Sequence, residues 1–250
     1  MILAQRAAAI AAAVLIPLAV AGGASAQSLV ACHKFTDDVI AAPEPREAAT
    51  PLKRFDEIKQ WVKTEHYHAL YLGDSITQLW DPALWRANMA TRGVLNAGVS
   101  GDRSEHLVWR LDHGNLDGPP PKVAIVLIGT NDIGHGRSVE DAAEGVRAVL
   151  IKLRVREPTT RILLLGLWPR GATPSDPFRK KVEAVNKLIQ TCGDNKTVFY
   201  ADIGGVLLDA RGELTRDISP DLLHFTAAGY ARIAPLLDRL LDPFLAMPNG

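Results

Sequence analysis

Five short apolar runs punctuate the chain, at 69–72, 94–97, 123–128, 162–167 and 198–201. Several are near-continuous Val, Ile and Leu, the pattern of strands covered on both faces. Between and after them, 77–88, 104–111, 139–156, 176–190 and 226–241 space their apolar residues as amphipathic helices do. A further helical pattern, 52–65, precedes the first run with Leu52, Phe55, Ile58, Trp61 and Val62 on one side. Alternation of this kind leaves few choices: parallel strands need long crossovers, and the crossover helices must cover the sheet. The expected fold class is α/β, a three-layer α/β/α sandwich around a five-stranded parallel sheet. Pro119-Pro120-Pro121 breaks the chain just before the third strand.

In such sheets ligands bind outside the carboxyl ends of the strands, so the residues that follow each run deserve inspection first. The first run enters Gly73-Asp74-Ser75. Gly permits a tight turn there, and a Ser that opens a helix shows its hydroxyl at the mouth of the sheet, its own N–H at the positive helix end. The same Ser also reads as a helix cap. The second run is followed by Asn96-Ala97-Gly98-Val99-Ser100-Gly101-Asp102, a glycine loop whose N–H groups can face a ligand or simply turn the chain. The third ends in Gly129-Thr130-Asn131-Asp132. The Asn131 amide can donate to a developing oxyanion or serve the turn; Asp132 reads as a turn or capping residue. Near the C-terminus, Asp221-Leu222-Leu223-His224 precedes the last helix. Three-residue spacing lets both polar side chains lie on one side of a turn, where Asp221 orients the His224 ring or merely caps. Taken together, these segments supply a nucleophile, oxyanion donors, an orienting acid and a base, the set that acyl transfer needs.

On these motifs the chain resembles the SGNH (GDSL-type) hydrolase family from about residue 70 to 241. The resemblance implies a flavodoxin-like SGNH hydrolase fold, catalytic Ser75, Asp221 and His224, and an oxyanion hole from the N–H groups of Ser75 and Gly101 with the Asn131 amide. GDRSEHLVWRL at 101–111, GLWPRG at 166–171 and Leu223-His224-Phe225-Thr226 are similar to the catalytic subunits of platelet-activating-factor acetylhydrolase. That similarity implies a small acyl pocket at Ile76, Thr130 and Leu223, and pairing into a homodimer. The expected activity is hydrolysis of carboxylic esters, short-acyl ones first, through an acyl-enzyme, with a small-molecule ester as partner and no metal or cofactor. The alternatives are a lysophospholipase or thioesterase using the same triad, and a non-catalytic binding protein on the same fold; acyl-chain preference and covalent labelling of Ser75 separate them. Trp168, Pro169 and Arg170 are candidates for the leaving-group side, with packing as the competing role. His135 is a candidate rim residue. Trp80, Trp85 and Trp109 read as packing residues.

The rest of the chain sets the context. Residues 1–26 read as a signal peptide: one basic residue, an apolar run at 7–20, then Ala24-Ser25-Ala26 as a cleavage site. The run is short for a membrane span, although Leu29-Val30-Ala31-Cys32 also resembles a lipobox. Residues 27–51 read as a surface arm and 52–245 as one hydrolase domain, in a secreted or periplasmic protein. Export would permit a disulfide between Cys32 and Cys192; two free thiols are the alternative. With 28 basic and 28 acidic residues the formal charge is +0, so no nucleic-acid partner is expected.

Overall fold

The structure, a computed structural model, describes Cys32 and residues 43–246. The leader, its cleavage site and all of the arm before residue 43 except Cys32 lie outside the described residues. Helix α1 (Ala49–Thr64) leads into β1 (Ala69–Gly73), then α2 (Ser75–Gln78), α3 (Pro82–Asn88), β2 (Val94–Gly98), α4 (Ser104–Asp112), β3 (Val123–Leu127), α5 (Thr130–Gly134), α6 (Val139–Arg156), β4 (Arg161–Leu165), α7 (Pro177–Ile189), β5 (Val198–Ala201) and α8 (Ala227–Leu245). All strand pairs are parallel, in the order β2-β1-β3-β4-β5. Helices flank the sheet: α4, α6 and α7 pack side by side, while α3 packs on α8. Right-handed crossovers put the two sets on opposite faces. This is the expected α/β/α class. Among the described residues no helix is long and apolar enough to cross a membrane.

Every residue of β1 and β3 is buried, which is why those runs carry no alternation. An aromatic cluster of Tyr71, Trp80, Trp85, Trp168 and Tyr230 fills the α3–α8 side, with Trp80 and Tyr230 stacked at 4.8 Å between centroids. Trp109 packs on Phe55 of α1 and stacks on His113. These tryptophans pack, as their spacing predicts, although Trp85 also lines a cleft described below.

Several elements differ from expectation, among them the short α5, where the sequence pattern reads as a turn, and three whose local cause is plain. The helix expected at 77–88 is two: Asp81 accepts from the N–H groups of Ala83 and Leu84, and Pro82 at the first position starts a new helix. Helix α1 begins at Ala49, inside the expected arm, with Pro51 tolerated in the first turn. The apolar run at 162–167 leaves the ladder after Leu165 because the Leu167 N–H donates instead to Asn186 Oδ1 at 2.7 Å.

The strand order has one consequence for chemistry. The chain steps from β1 outward to β2, then returns past β1 to β3. A crevice therefore opens at the carboxyl ends of β1 and β3, where successive crossovers part to opposite faces. Gly73 is in register with both Gly98 and Leu127, so the three loops that follow emerge at one level.

Candidate active site

Backbone crowding decides the first turn. A Cβ at Gly73 would lie 2.2 Å from Thr77 Oγ1 and 2.6 Å from the Leu127 carbonyl oxygen, so only glycine fits. Asp74 takes the cap position of α2, its Oδ1 accepting from the Ile76 N–H at 2.9 Å. Ser75 is therefore the first helical residue and not the cap, and its hydroxyl is free for another partner. That partner is His224, whose Nε2 lies 2.8 Å from Ser75 Oγ.

The His224 ring is held from behind. Its Nδ1 lies 2.7 Å from Asp221 Oδ2, while Asp221 Oδ1 accepts from the N–H groups of Leu223 at 3.0 Å and His224 at 2.7 Å. One carboxylate thus closes the turn and orients the ring. Leu222 bends the chain between them with φ +62°, a left-handed conformation unusual for leucine. Ser219 Oγ donates to the His224 carbonyl at 2.8 Å and pins the far side. Burial alone would raise the Asp221 pKa, but the hydrogen bonds from His224 and Leu223 outweigh it and hold the carboxyl below its ordinary range. Asp221 is anionic wherever His224 needs a counter-charge.

Across the crevice stand the donors. The N–H groups of Ser75 and Gly101 make no hydrogen bond within the described protein. Gly101 has φ +79°, a backbone state that favours glycine. One N–H of the Asn131 amide donates to the Asp102 carbonyl at 2.9 Å, which leaves the second available. The loop carrying Gly101 is pinned from several directions. The Ser100 N–H donates to Gln78 Oε1 at 2.6 Å, and Arg46 donates to the Gly101 carbonyl. Buried Arg110 joins Asp102 Oδ2 at 2.7 Å to the Gly73 carbonyl at 2.9 Å. Donors fixed before the reaction need no reorganisation during it.

Several of these supports are absent from the sequence reading. Arg110 falls between Leu107 and Leu111 on the apolar side of α4, and a charge at such a position is a signal for a buried clamp. Burial pushes Arg110 down and Asp102 up, and their direct contact opposes both shifts. Asp132 is more than a turn residue. It is fully buried and accepts from Ser104 Oγ at 2.6 Å and Arg137 Nη1 at 3.0 Å, tying α5 to α4. Arg46 lies in the segment read as an arm, and nothing local announces its contact.

Ile76 and Thr130 are buried, Leu223 half-buried, and each is the chain neighbour of a site residue. Trp168 is buried within the aromatic cluster and packs, and Pro169 is buried beside it; Arg170 reaches the rim. His135 is exposed, its Nδ1 2.8 Å from the Asn131 carbonyl. Glu44, Glu105 and His106 bring ligand-type atoms within 4.8 Å of one another, a convergence invisible in the sequence. Arg103 and Arg137 already pair with those carboxylates, and burial lowers His106 to about 4. A cleft of about 490 Å³ lies away from Ser75, between α1, α3 and the edge strand β2, lined by Arg54, Trp61, Trp85 and Asn96 among others. It contains none of the residues that converge on Ser75.

Residues 71–232 match the model of the GDSL-like Lipase/Acylhydrolase family. The chain is 35% identical over 185 residues to platelet-activating factor acetylhydrolase IB subunit alpha2 of Rattus norvegicus, covering 73% of this chain and 80% of that one. It is 29% identical over 218 residues to the alpha1 subunit of Homo sapiens, covering 82% and 93%. Among solved structures, the fold is similar to a Streptococcus pneumonia protein described as a platelet activating factor (TM-score 0.65, 24% identity, 78% of this chain and 92% of that one). It is also similar to an acetyl-xylooligosaccharide esterase from Geobacillus Stearmophilus (TM-score 0.55, 16% identity, 75% and 97%).

Proposed function

The chain belongs to the GDSL-like lipase/acylhydrolase (SGNH hydrolase) family of carboxylic ester hydrolases, and on that premise we propose that Ser75, His224 and Asp221 are its catalytic triad, acting on short-acyl esters. The observation that carries this reading is the continuous contact from Ser75 Oγ to His224 Nε2 at 2.8 Å and from His224 Nδ1 to Asp221 at 2.7 Å. His224 takes the Ser75 proton as the hydroxyl attacks the ester carbonyl. The negative charge that forms on the carbonyl oxygen meets the N–H groups of Ser75 and Gly101 and the free N–H of Asn131. His224 then protonates the departing alcohol, which leaves an acyl-Ser75. Water, deprotonated by the same imidazole, attacks that ester and releases the acid. Asp221 steadies the ring and its transient positive charge throughout.

A short acyl group suits Ile76, Thr130 and Leu223, bulky or buried side chains placed directly beside the reacting residues. The acetylhydrolase relatives support the same preference by their names. A series of 4-nitrophenyl esters tests the reading, with Ser75→Ala as the blank. Acetate should be hydrolysed fastest, and the folded Ala variant should lose nearly all turnover. Faster hydrolysis of long-chain esters would turn the assignment toward a lysophospholipase or thioesterase, and an active Ala variant would remove Ser75 from the mechanism.

We also propose that the protein is exported. The leader-like segment at 1–26 supports this, as does the disulfide between Cys32 and Cys192, since such bonds persist in oxidising compartments. N-terminal sequencing of the protein recovered outside the cytoplasm should begin near Gln27.

A further inference from the structure

Between the Thr130–Asn131 segment and the turn that carries Asp221 and His224 stands a guanidinium that forms no ion pair among the described residues. Arg170 lies in the loop that follows β4, and its Nη1 donates to the Thr130 carbonyl at 3.1 Å, beside Asn131. The following N–H, of Gly171, donates to the Leu222 carbonyl at 3.0 Å, inside the turn that carries Asp221 and His224. The residue is thus strung between the oxyanion segment and the triad turn. The guanidinium also lies 4.3 Å over the Phe178 ring, which fixes its plane. Arg103, Arg110 and Arg137, close to the same crevice, each pair with a carboxylate. Arg170 forms no ion pair among the described residues. Asp176, Asp221 and Asp74 act on it only through space, and burial pushes its pKa down.

The unused donors decide what it could hold. Arg170 is half-buried, and its Nε–Nη2 edge has no hydrogen-bond partner among the described residues. A planar edge with two parallel N–H groups matches a carboxylate or phosphate bidentately. Partly desolvated donors left unpaired are costly, so an incoming anion gains more here than at an exposed arginine.

We propose that Arg170 is a specificity residue that binds a negatively charged oxygen group of the substrate, a phosphate or a carboxylate. This rests on the triad and short-acyl reading above: an acetyl group carries no charge, so the anion belongs to the alcohol half. The substrates are then acetyl-type esters of anionic alcohols, such as a glycerol phosphate or an acidic sugar.

Two matched pairs test it: acetylated glycerol against acetylated glycerol 3-phosphate, and an acetylated methyl glucoside against the corresponding glucuronoside. In wild-type enzyme at low ionic strength, kcat/KM for the charged member of one pair should exceed that of its neutral partner by about tenfold or more. The advantage should lie in KM and shrink as salt is added. Arg170→Gln should collapse the ratio to about one, and Arg170→Lys should restore part of it. The ratio is the readout because loss of the Thr130 contact will slow both substrates alike. Which pair shows the advantage names the anion as phosphate or carboxylate. Equal rates within both wild-type pairs would overturn the proposal, as would a preference that survives in Arg170→Gln. Neutral acetyl esters turned over through Ser75 without any charge preference would sink the Arg170 assignment alone. No Ser75-dependent turnover of either kind would sink the triad reading with it.

Discussion

At the residue scale the site depends on polar atoms that have been given one task each. Asp74 caps α2, so the Ser75 hydroxyl does not. One N–H of Asn131 positions the loop, and the other is left unpaired for the oxyanion proposed above. Replacing Asn131 with Ala should lower kcat by about 10²–10³, the usual effect of losing one oxyanion donor. Single-turnover acylation would measure it, and a rate within a few-fold of wild type would exclude the amide from the hole. Asp74 makes a prediction about pH. Burial raises its pKa to about 7, the nearby charges of Asp102 and Asp132 adding to the shift while the Ile76 N–H and Arg110 oppose it. In the unfolded chain an Asp titrates near about 3.9. The folded state therefore holds the proton more tightly, a contribution complete below the unfolded value and lost as pH rises through about 7. Asp132, raised to about 6 by burial, acts in the same direction. Asp74→Asn cannot ionise and can still accept from Ile76. Relative to wild type it should gain roughly 2 kcal/mol of stability between pH 5 and pH 8. Urea midpoints at the two pH values measure this, and parallel shifts in both proteins would count against a raised Asp74.

Elements meet at the site through close backbone approaches. Helix α6 crosses α4 at Gly145, where a Cβ would sit 2.1 Å from Ser104 Oγ and 2.7 Å from Ser104 Cβ. Ser104 is the residue that grips Asp132 at the start of α5, so the glycine lets three helices share one polar knot below Asn131. Gly145→Ala improves helix propensity by about 1 kcal/mol. It should still destabilise the protein, by about 1–3 kcal/mol net, because the packed Ser104 cannot yield. Chemical denaturation would show the loss, and a stabilised variant would mean that α4 moves aside freely. The short α2 depends on α8 in a similar way: the Tyr230 hydroxyl donates to the Ile76 carbonyl at 2.8 Å, bracing the turn next to Ser75.

At the scale of the whole molecule, the Cys32–Cys192 disulfide spans 160 residues of sequence and joins the N-terminal segment to the end of α7. A closed loop of that length removes much of the unfolded chain's freedom. The chain-entropy model gives about 5 kcal/mol, and losses of about 2–5 kcal/mol are usual when a native bridge is removed. Cys32→Ser with Cys192→Ser should lower stability within that range, and dithiothreitol should do the same to wild type. A double variant as stable as the oxidised protein would show that the bridge constrains little. The same arm brings Arg46 onto the Gly101 carbonyl, so a segment outside the matched region 71–232 reaches the Gly101 loop.

The strands, most helices and the four polar segments of the site were legible in the sequence because each is a local signal. Continuous apolar runs mark buried strands, helical spacing marks their covers, and polar residues just past a strand mark the open end of the sheet. Asp81-Pro82 is a helix-start signal that the reading of 77–88 as one helix passes over, because the apolar spacing around it is continuous. Tertiary structure alone decided that β1 sits between β2 and β3, which puts Ser75 and Asn131 across one crevice. It alone decided that Asp74 and not Ser75 caps α2, that Arg110 joins two loops, and that Arg46 and Arg170 reach the site's edge. Periodicity reports which face of an element is buried. Which distant partner a buried donor finds depends on strand order and on the length of a side chain, and neither leaves a period in the sequence.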